Sequence, residues 1–321
     1  MEQIISIVKA VAVLAVFMAI GFAAAKTGYI KRDVALSLSG FITRLMHPAW
    51  AVARLLSPDV TKEQMLSLLP LLLAGAIITL SLDGVGWLVA KIMKVDNKRK
   101  YTLLPLFSAP NCVFFGVPIC QSLFGDYGAL CCTIAALGSD LISWTVTISL
   151  MNRGAMKEFE GEGEKPKFHL TPVTVAFVIS FILKMFDFSL PEIMLSPIAK
   201  FGDALAYSAM IYLGILLCGI SLKGLFKEKI VYVHLTLKCL VLPFLIGIIA
   251  GLVGFDAVQA GTLTIIFAAS PMISMNLFYK SLGLDYKLGS SLTFTCVLIN
   301  IVTIPFAYWL VSTAGAVMGI F

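Results

Sequence analysis

The chain has 321 residues, of which 59% are hydrophobic and only 13% are charged, whereas a soluble domain carries about 25% charged residues. This composition excludes a soluble globular enzyme, a disordered chain and a nucleic-acid-binding protein, because the polar residues that would cover a soluble surface are missing. The net charge of +6 therefore has to be explained by where the charges lie along the chain.

Apolar segments long enough to cross a bilayer follow one another from the N-terminus onward. A spanning helix needs about 20 mostly apolar residues. By this criterion the sequence predicts ten spans, at about 4–25, 34–56, 65–94, 101–123, 128–151, 170–187, 203–222, 230–253, 257–280 and 288–313.

The longest polar stretch, 152–168, follows the fifth span and is rich in Glu, Lys and Gly. Such a composition favours a mobile linker. We therefore predict an all-α polytopic membrane protein with a first five-helix repeat at 1–151, a linker at 152–168 and a second five-helix repeat at 169–321.

Lysine and arginine are concentrated in alternate loops. Loops after odd-numbered spans hold 17 of them, and loops after even-numbered spans hold three, Lys62, Lys184 and Lys200. Because basic loops remain on the cytoplasmic side, we expect a cytoplasmic linker, both termini outside and a location in the cytoplasmic (inner) membrane. Topology thus accounts for the positive charge, and we predict no nucleic-acid partner.

Two short patterns recur in the two halves. The pattern S-L-x-x-D-Y occurs at Ser122–Tyr127 and again at Ser281–Tyr286, 159 residues later. Asp140 in the fifth span and Asn300 in the tenth are offset by 160 residues. Two five-helix halves joined by an inside loop have opposite orientations, which is the layout of inverted-repeat secondary transporters.

Prolines interrupt the fourth and ninth spans. Pro110, Gly116 and Pro118 lie within nine residues in the fourth span, and Pro271 lies in the ninth. Proline removes a backbone donor and clashes with the preceding turn, and matched interrupted helices are a sequence indicator of a transporter binding site. Helix ends freed at a break favour an anion. The alternative is a pair of kinks that only shape packing.

Polar side chains next to the two breaks are the candidate substrate ligands. We predict substrate-binding roles for Asn111, Ser270, Ser274 and Asn276. The amide group supplies donors that suit a carboxylate. The alternatives are hydrogen bonds between helices for the two asparagines and bonds to the helix backbone for the serines.

Four further polar residues within the spans are candidates for ion coupling. They are Asp83, Asp140, Lys238 and Asn300. Ionisable residues at this depth are costly and are functional hypotheses by default. We expect Asp83 to pair with Lys238, since the third and eighth spans are equivalent in the two halves; such a pair would be structural as readily as functional.

Several catalytic signatures are missing from the sequence. It contains no Walker A motif, no G-x-S-x-G, no H-E-x-x-H and no C-x-x-C among its seven cysteines. We predict that the chain is not an enzyme, binds no metal and needs no cofactor other than a coupling ion, H⁺ or Na⁺.

The motif Asn111-x-x-Phe114-x-Gly116-x-Pro118 resembles the N-x-x-F-x-G-x-P signature of the auxin efflux carrier family. That family includes bacterial malate and malonate permeases and the plant PIN auxin transporters. The stretch 268–283 is similar to the second motif of the family, and the short linker resembles that of the bacterial members.

The sequence departs from the family pattern at two places. Ser270-Pro271 reverses the usual Pro-Ser order of the second motif. Asp140 stands where the family would have an amide, which leaves the charge of the substrate or the coupling open.

The resemblance implies a crossover fold of the bile-acid-symporter and sodium/proton-antiporter type. The fourth and ninth spans would cross at their breaks, and the other helices would form a scaffold and a transport bundle. It also implies an organic anion as substrate, with the amide of Asn111 donating to its carboxylate.

These observations predict a secondary transporter for a small carboxylate, malate- or malonate-like, that works by alternating access and is coupled to protons. The alternatives are a membrane sensor or lipid-binding protein on the same fold, and a passive anion channel. The expected partners are the carboxylate substrate and the lipid bilayer, with a homodimer as an assembly that the sequence leaves open.

Overall fold

The computed structural model describes residues 2–31, 34–58, 60–159, 172–218 and 228–320. Up to the gap at 160 these residues form eight α-helices: α1 (Glu2–Lys26), α2 (Val34–Phe41), α3 (His47–Leu55), α4 (Lys62–Ser67), α5 (Leu69–Ile92), α6 (Asn97–Ser108), α7 (Val117–Ile142) and α8 (Ile148–Phe159). The described residues after that gap form eight more: α9 (Pro172–Met185), α10 (Glu192–Asp203), α11 (Leu205–Leu217), α12 (Lys229–Thr236), α13 (Leu242–Leu252), α14 (Ala257–Ala268), α15 (Met275–Ser281) and α16 (Tyr286–Met318).

Five helical stretches among the described residues, each made of one or two of these helices, are long and apolar enough to cross a membrane. They cover Lys62–Ile92, Cys112–Ala155, Glu192–Leu217, Lys229–Leu252 and Tyr286–Met318, and three shorter apolar helices accompany them. The prediction of an all-helical polytopic membrane protein is confirmed at this level, while the ten-span inverted repeat stays a prediction.

Wide π-type turns join several helices into continuous rods. Such turns connect α2 to α3 at Ile42–Met46, α7 to α8 at Ser143–Thr147 and α12 to α13 at Leu237–Val241. An extra residue in a helical turn often marks a functional position. The last of these turns contains Lys238.

Two predicted boundaries differ from the observed ones, and a third agrees with them. Residues 188–202, predicted as a loop, contain nearly all of α10 (Glu192–Asp203), which follows Pro191 as its N-cap and packs on α3. Helix α8 continues to Phe159, so residues 152–159 of the predicted linker are helical; residues 160–168 lie outside the described residues. Within α7, Gly125 has a φ of 66° and a ψ of −158°, which only glycine adopts readily. Two helices therefore meet there, at the predicted loop between the fourth and fifth spans.

Acidic N-caps start the two helices that end at Ser108 and Ala268, and the helix that contains Asn300. The carboxylates of Asp96, Asp256 and Asp285 accept backbone N–H groups in the first turns of α6, α14 and α16 at 2.8, 2.8 and 3.0 Å. Each cap satisfies a donor that has no partner within its helix. These starts are encoded locally.

The helices group into two compact units. Unit 1 takes in the described residues of Met1–Leu71, Val113–Ile134 and Leu170–Gly219. Inside it α1 packs along α11, and α3 packs against α9 and α10. Its helices also hold an ion-pair cluster in which Arg54 binds Asp126 and Asp203.

Unit 2 takes in the described residues of Leu72–Cys112, Ala135–His169 and Ile220–Phe321. Its backbones approach closely where α5 passes α7: a Cβ on Gly138 would lie 1.9 Å from the carbonyl oxygen of Leu72. Glycine is required there because any side chain would push the two helices apart. Unit 2 contains both helix breaks described below.

Candidate functional site

The break in the fourth span lies at Pro110. Helix α6 ends at Ser108, Ala109 has an extended backbone, and helical turns resume at Cys112. Pro110 has no N–H and so cannot continue the hydrogen-bond ladder of α6. Gly116 and Pro118, also predicted as break residues, lie in helical turns, since a proline at the start of a helix removes an N–H that has no partner there anyway.

The break in the ninth span lies between α14 and α15. Helix α14 ends at Ala268, Ala269 is extended, and helix resumes at Met275. Pro271 lies within this stretch, as the sequence predicts. Both predicted interruptions are therefore present as non-helical backbone.

The two breaks meet and bond to each other within unit 2. Pro110 and Pro271 form an antiparallel bridge. The N–H of Asn111 donates to the carbonyl of Ser270 at 2.8 Å, and the N–H of Met272 donates to the carbonyl of Ala109 at 2.8 Å. In a membrane, backbone groups released from a helix need protein or water partners. Here the two breaks satisfy each other.

Asn300 holds the break of the ninth span from α16. With its amide oriented so that both atoms are satisfied, the Asn300 oxygen accepts the backbone N–H of Ser270 at 2.6 Å and its nitrogen donates to the carbonyl of Cys296 at 3.0 Å. The side chain is fully buried. The structure thus places this predicted coupling residue as a support for the break.

The amide of Asn111 lies beside the hydroxyl of Ser270. Asn111 is 2% exposed, and its Nδ2 lies 3.5 Å from Ser270 Oγ, at the long limit for a hydrogen bond. A contact this weak costs little to exchange for a stronger acceptor. The structure therefore brings together Asn111 and Ser270, two of the residues predicted to bind substrate.

Asn276 presents an acceptor rather than a donor. Its Nδ2 donates to the carbonyl of Ile273 at 3.1 Å, while its buried Oδ1 has no hydrogen-bond partner among the described residues. An unpartnered buried acceptor costs about 1–3 kcal/mol. Ser274 lies partly exposed in the turn just before it.

Asp83 is held by two hydroxyl groups. The carboxylate is 3% exposed and accepts Ser108 Oγ and Thr147 Oγ1, both at 2.6 Å. Ser108 is the last residue of α6 before the break. Sequence reasoning missed Thr147, whose signal is a hydroxyl seven residues beyond Asp140 in the same span.

Lys238 is fully buried and binds the end of α6. Its Nζ donates to the carbonyl of Phe107 at 3.0 Å. The last carbonyls of a helix are unpaired and carry partial negative charge, so they favour a cation. This contact supplies the buried ammonium with a partner that is a dipole rather than a carboxylate.

The predicted pairing of Asp83 with Lys238 is wrong. No ion pair joins them in the part of the chain that the structure describes. Instead they bond to adjacent residues, Ser108 and Phe107, at the end of α6. The two charges are therefore linked through one helix end and not directly.

Asp140 stands apart from these contacts. It is partly exposed in α7 and makes no hydrogen bond or ion pair with a described residue. Its neighbour Ser139 makes the buried contact instead, accepting from Thr79 Oγ1 at 2.7 Å. The structure brings Asp83, Lys238 and Asn300 to the breaks and leaves Asp140 outside their bonds.

The match to a known protein family covers both helix breaks and the residues around them. A family model described as "Membrane transport protein" matches residues 6–308. The matched range contains both helix breaks and every candidate residue named above. A search among curated proteins gives no significant match.

Proposed function

This chain belongs to the membrane transport protein family of auxin efflux carrier-like proteins, and from that premise we propose that it is a secondary transporter of small carboxylates of the malate and malonate kind. The family is one of transporters rather than enzymes. The proposed transporter works by alternating access and draws on a proton gradient across the cytoplasmic membrane.

The observation that carries this proposal is the bonded pair of helix breaks. Pro110 and Pro271 hold two non-helical segments against each other inside unit 2. Irregular backbone at membrane depth is tolerated where protein buries it or where it lines a cavity, and in transporters such segments bind the substrate.

Asn111 and Asn276 supply complementary groups for a carboxylic acid. The Nδ2 of Asn111 lies 3.5 Å from Ser270 Oγ, at the long limit for a hydrogen bond, and in this proposal it donates to a carboxylate oxygen of the substrate. The unpartnered Oδ1 of Asn276 accepts a hydroxyl or a protonated carboxyl. Malate carries two carboxylates and a hydroxyl, so one molecule offers an acceptor for the Asn111 amide and a donor for the Asn276 oxygen.

Asp83 is the coupling residue in this proposal. As a carboxylate it accepts two short hydroxyl hydrogen bonds. A proton on Asp83 turns one of its oxygens into a donor, so the bond to Ser108 or to Thr147 has to reverse. Ser108 ends α6 directly before the break, which ties protonation to the geometry of the binding segment.

The test is uptake of radiolabelled malate and malonate by proteoliposomes containing the purified chain. We expect saturable uptake that follows an imposed proton gradient and does not follow a sodium gradient. Thermal stabilisation by the acids with no flux would indicate a sensor or lipid-binding protein instead. Conductance far above carrier rates, with no counterflow, would indicate a channel.

A further inference from the structure

Two lysines converge on one tryptophan where α5 ends and α6 begins. In α5, Lys91 Nζ lies 5.2 Å from the centre of the Trp87 ring. From α6, Lys100 Nζ lies 5.4 Å from the same ring centre and 5.4 Å from that of Tyr101. An ammonium group within about 6 Å of an aromatic face is attracted by the ring. Two positive charges therefore share one indole.

The acidic groups nearby are already engaged. Asp96 caps α6 through the backbone N–H of Arg99 at 2.8 Å. Glu228 and Asp285 both bind the Arg99 guanidinium, at 2.7 and 3.1 Å. None of the ion pairs between described residues involves Lys91 or Lys100.

Among the described residues, the two lysines therefore have no anionic partner. Both charges lie close to one ring and repel each other, and an anion that contacts both ammonium groups relieves this repulsion. The ring contacts hold both ammonium groups in place. Binding such an anion therefore costs less side-chain conformational entropy.

The apolar surface beside the lysines is suited to a lipid. Trp87 is 43% exposed, and Leu88 and Ile92 next to it are 49% and 70% exposed. Tryptophan at the end of an apolar span is typical of the membrane–water interface. The Tyr101 ring rests in the space left by Gly154 of α8, where a Cβ would lie 2.1 Å from a ring atom, and this fixes the base of Lys100.

We propose that Lys91 and Lys100 bind the phosphate of an anionic phospholipid over Trp87, with its acyl chains along Leu88 and Ile92. The site lies on the side that the distribution of basic residues predicts to be cytoplasmic, where anionic headgroups attract clustered lysines. It joins the ends of α5 and α6, the two helices that also carry Asp83 and Ser108. A bound lipid therefore stabilises the hairpin that holds the break.

The experiment uses the full chain in a neutral detergent. Phosphatidylglycerol, phosphatidylcholine or inorganic phosphate is added, and the thermal unfolding midpoint is recorded. Quenching of tryptophan fluorescence by brominated phosphatidylglycerol gives the concentration for half-saturation. We expect phosphatidylglycerol to raise the midpoint and to quench, and the other two additions to do so much less.

The decisive variant is the double substitution Lys91→Gln with Lys100→Gln. It is expected to raise the half-saturating concentration of phosphatidylglycerol roughly thirtyfold, since each of the two lysines at a membrane surface contributes about 1 kcal/mol and about 1.4 kcal/mol is a factor of ten. The matched control is Lys62→Gln with Lys200→Gln, which removes two charges from loops predicted to lie on the opposite side. The pair Lys91→Arg with Lys100→Arg keeps the charges and is expected to retain binding.

Three results would overturn the proposal. One is equal half-saturation for the double variant and its matched control. Another is equal stabilisation by phosphatidylcholine, which would remove the role of the anion. A third is equal stabilisation by inorganic phosphate, which would assign the site to a free anion. If the glutamine variant does not fold, loss of binding in the folded arginine variant counts against the site equally.

Discussion

Unit 2 at the helix breaks and unit 1 at Arg54 satisfy their charges in different ways. Lys238 and Asp83 are 0% and 3% exposed, and their partners are a carbonyl and two hydroxyls. Arg54 in unit 1 is 22% exposed in its side chain and binds two carboxylates, of Asp126 and Asp203, that are 56% and 45% exposed.

The difference follows from access to water. Around the partly exposed Arg54, water replaces a lost ion-pair partner, so an ion pair contributes little to stability. In the buried interior every polar group needs a protein partner, and losing one leaves its mate unsatisfied. The contacts at the breaks therefore specify geometry, while those around Arg54 are replaceable.

The largest effect is expected from Asn111→Ala. Loss of the amide donor removes the proposed carboxylate ligand, so uptake of malate falls to the background of empty liposomes. The matched control is Asn152→Ala, because Asn152 is another buried asparagine of unit 2, 6% exposed, whose Oδ1 has no partner among the described residues. Normal uptake by Asn111→Ala, at equal protein in the membrane, would remove Asn111 from the site.

Asp83→Asn tests whether the carboxylate between Ser108 and Thr147 carries the proton. The amide keeps the size and the hydrogen-bonding capacity of the side chain but cannot gain a proton. We expect uptake that no longer rises as the external pH falls, measured as initial rates over a pH series. Asp140→Asn is expected to keep the pH response of the native chain. The reverse outcome for the two variants would transfer the coupling role to Asp140.

Asn300→Leu breaks the support of the ninth-span break. The buried Ser270 N–H loses its 2.6 Å acceptor, so we expect a loss of stability of about 1–3 kcal/mol. The measurement is thermal unfolding of the purified chain. Asn152→Leu is the control, since no described partner of its Oδ1 is lost. Equal stability of the two variants would contradict the supporting role of Asn300.

Arg54→Gln is expected to have the smallest effect. Its ion pairs are partly exposed, so we expect a change in stability below about 1 kcal/mol. The same unfolding assay, repeated at high salt, checks this result. A loss of stability as large as that of Asn300→Leu would show that the contacts of Arg54 are as important for stability as those at the helix breaks.

Some features of the site were accessible from the sequence because they depend on local chemistry. Pro110 and Pro271 interrupt their helices through their own missing N–H groups. The motif S-L-x-x-D-Y repeats, and its two aspartates, Asp126 and Asp285, each bind an arginine. The repetition is visible in the sequence. The pairing of each aspartate with its arginine, 72 or 186 residues away, is not.

Other features depended on which helix ends come together. The expected Asp83–Lys238 pair was based on equivalent spans, but Lys238 reaches a backbone carbonyl, which a residue pattern does not reveal. The residues of helix α10 lie mostly in a loop predicted between the sixth and seventh spans. Its helical state is stabilised by packing against α3.

The sequence by itself determined three properties of this chain. It is a membrane protein, two of its helices are interrupted at Pro110 and Pro271, and certain ionisable groups lie within its predicted spans. These properties follow from runs of apolar side chains and from the backbone chemistry of proline, which act over a few residues. The tertiary structure decided that the two breaks bond to each other, that Asn300 holds Ser270, and that Asp83 and Lys238 meet at one helix end. Those contacts join residues more than 20 positions apart. They form because a buried polar group needs a hydrogen-bond partner from the protein.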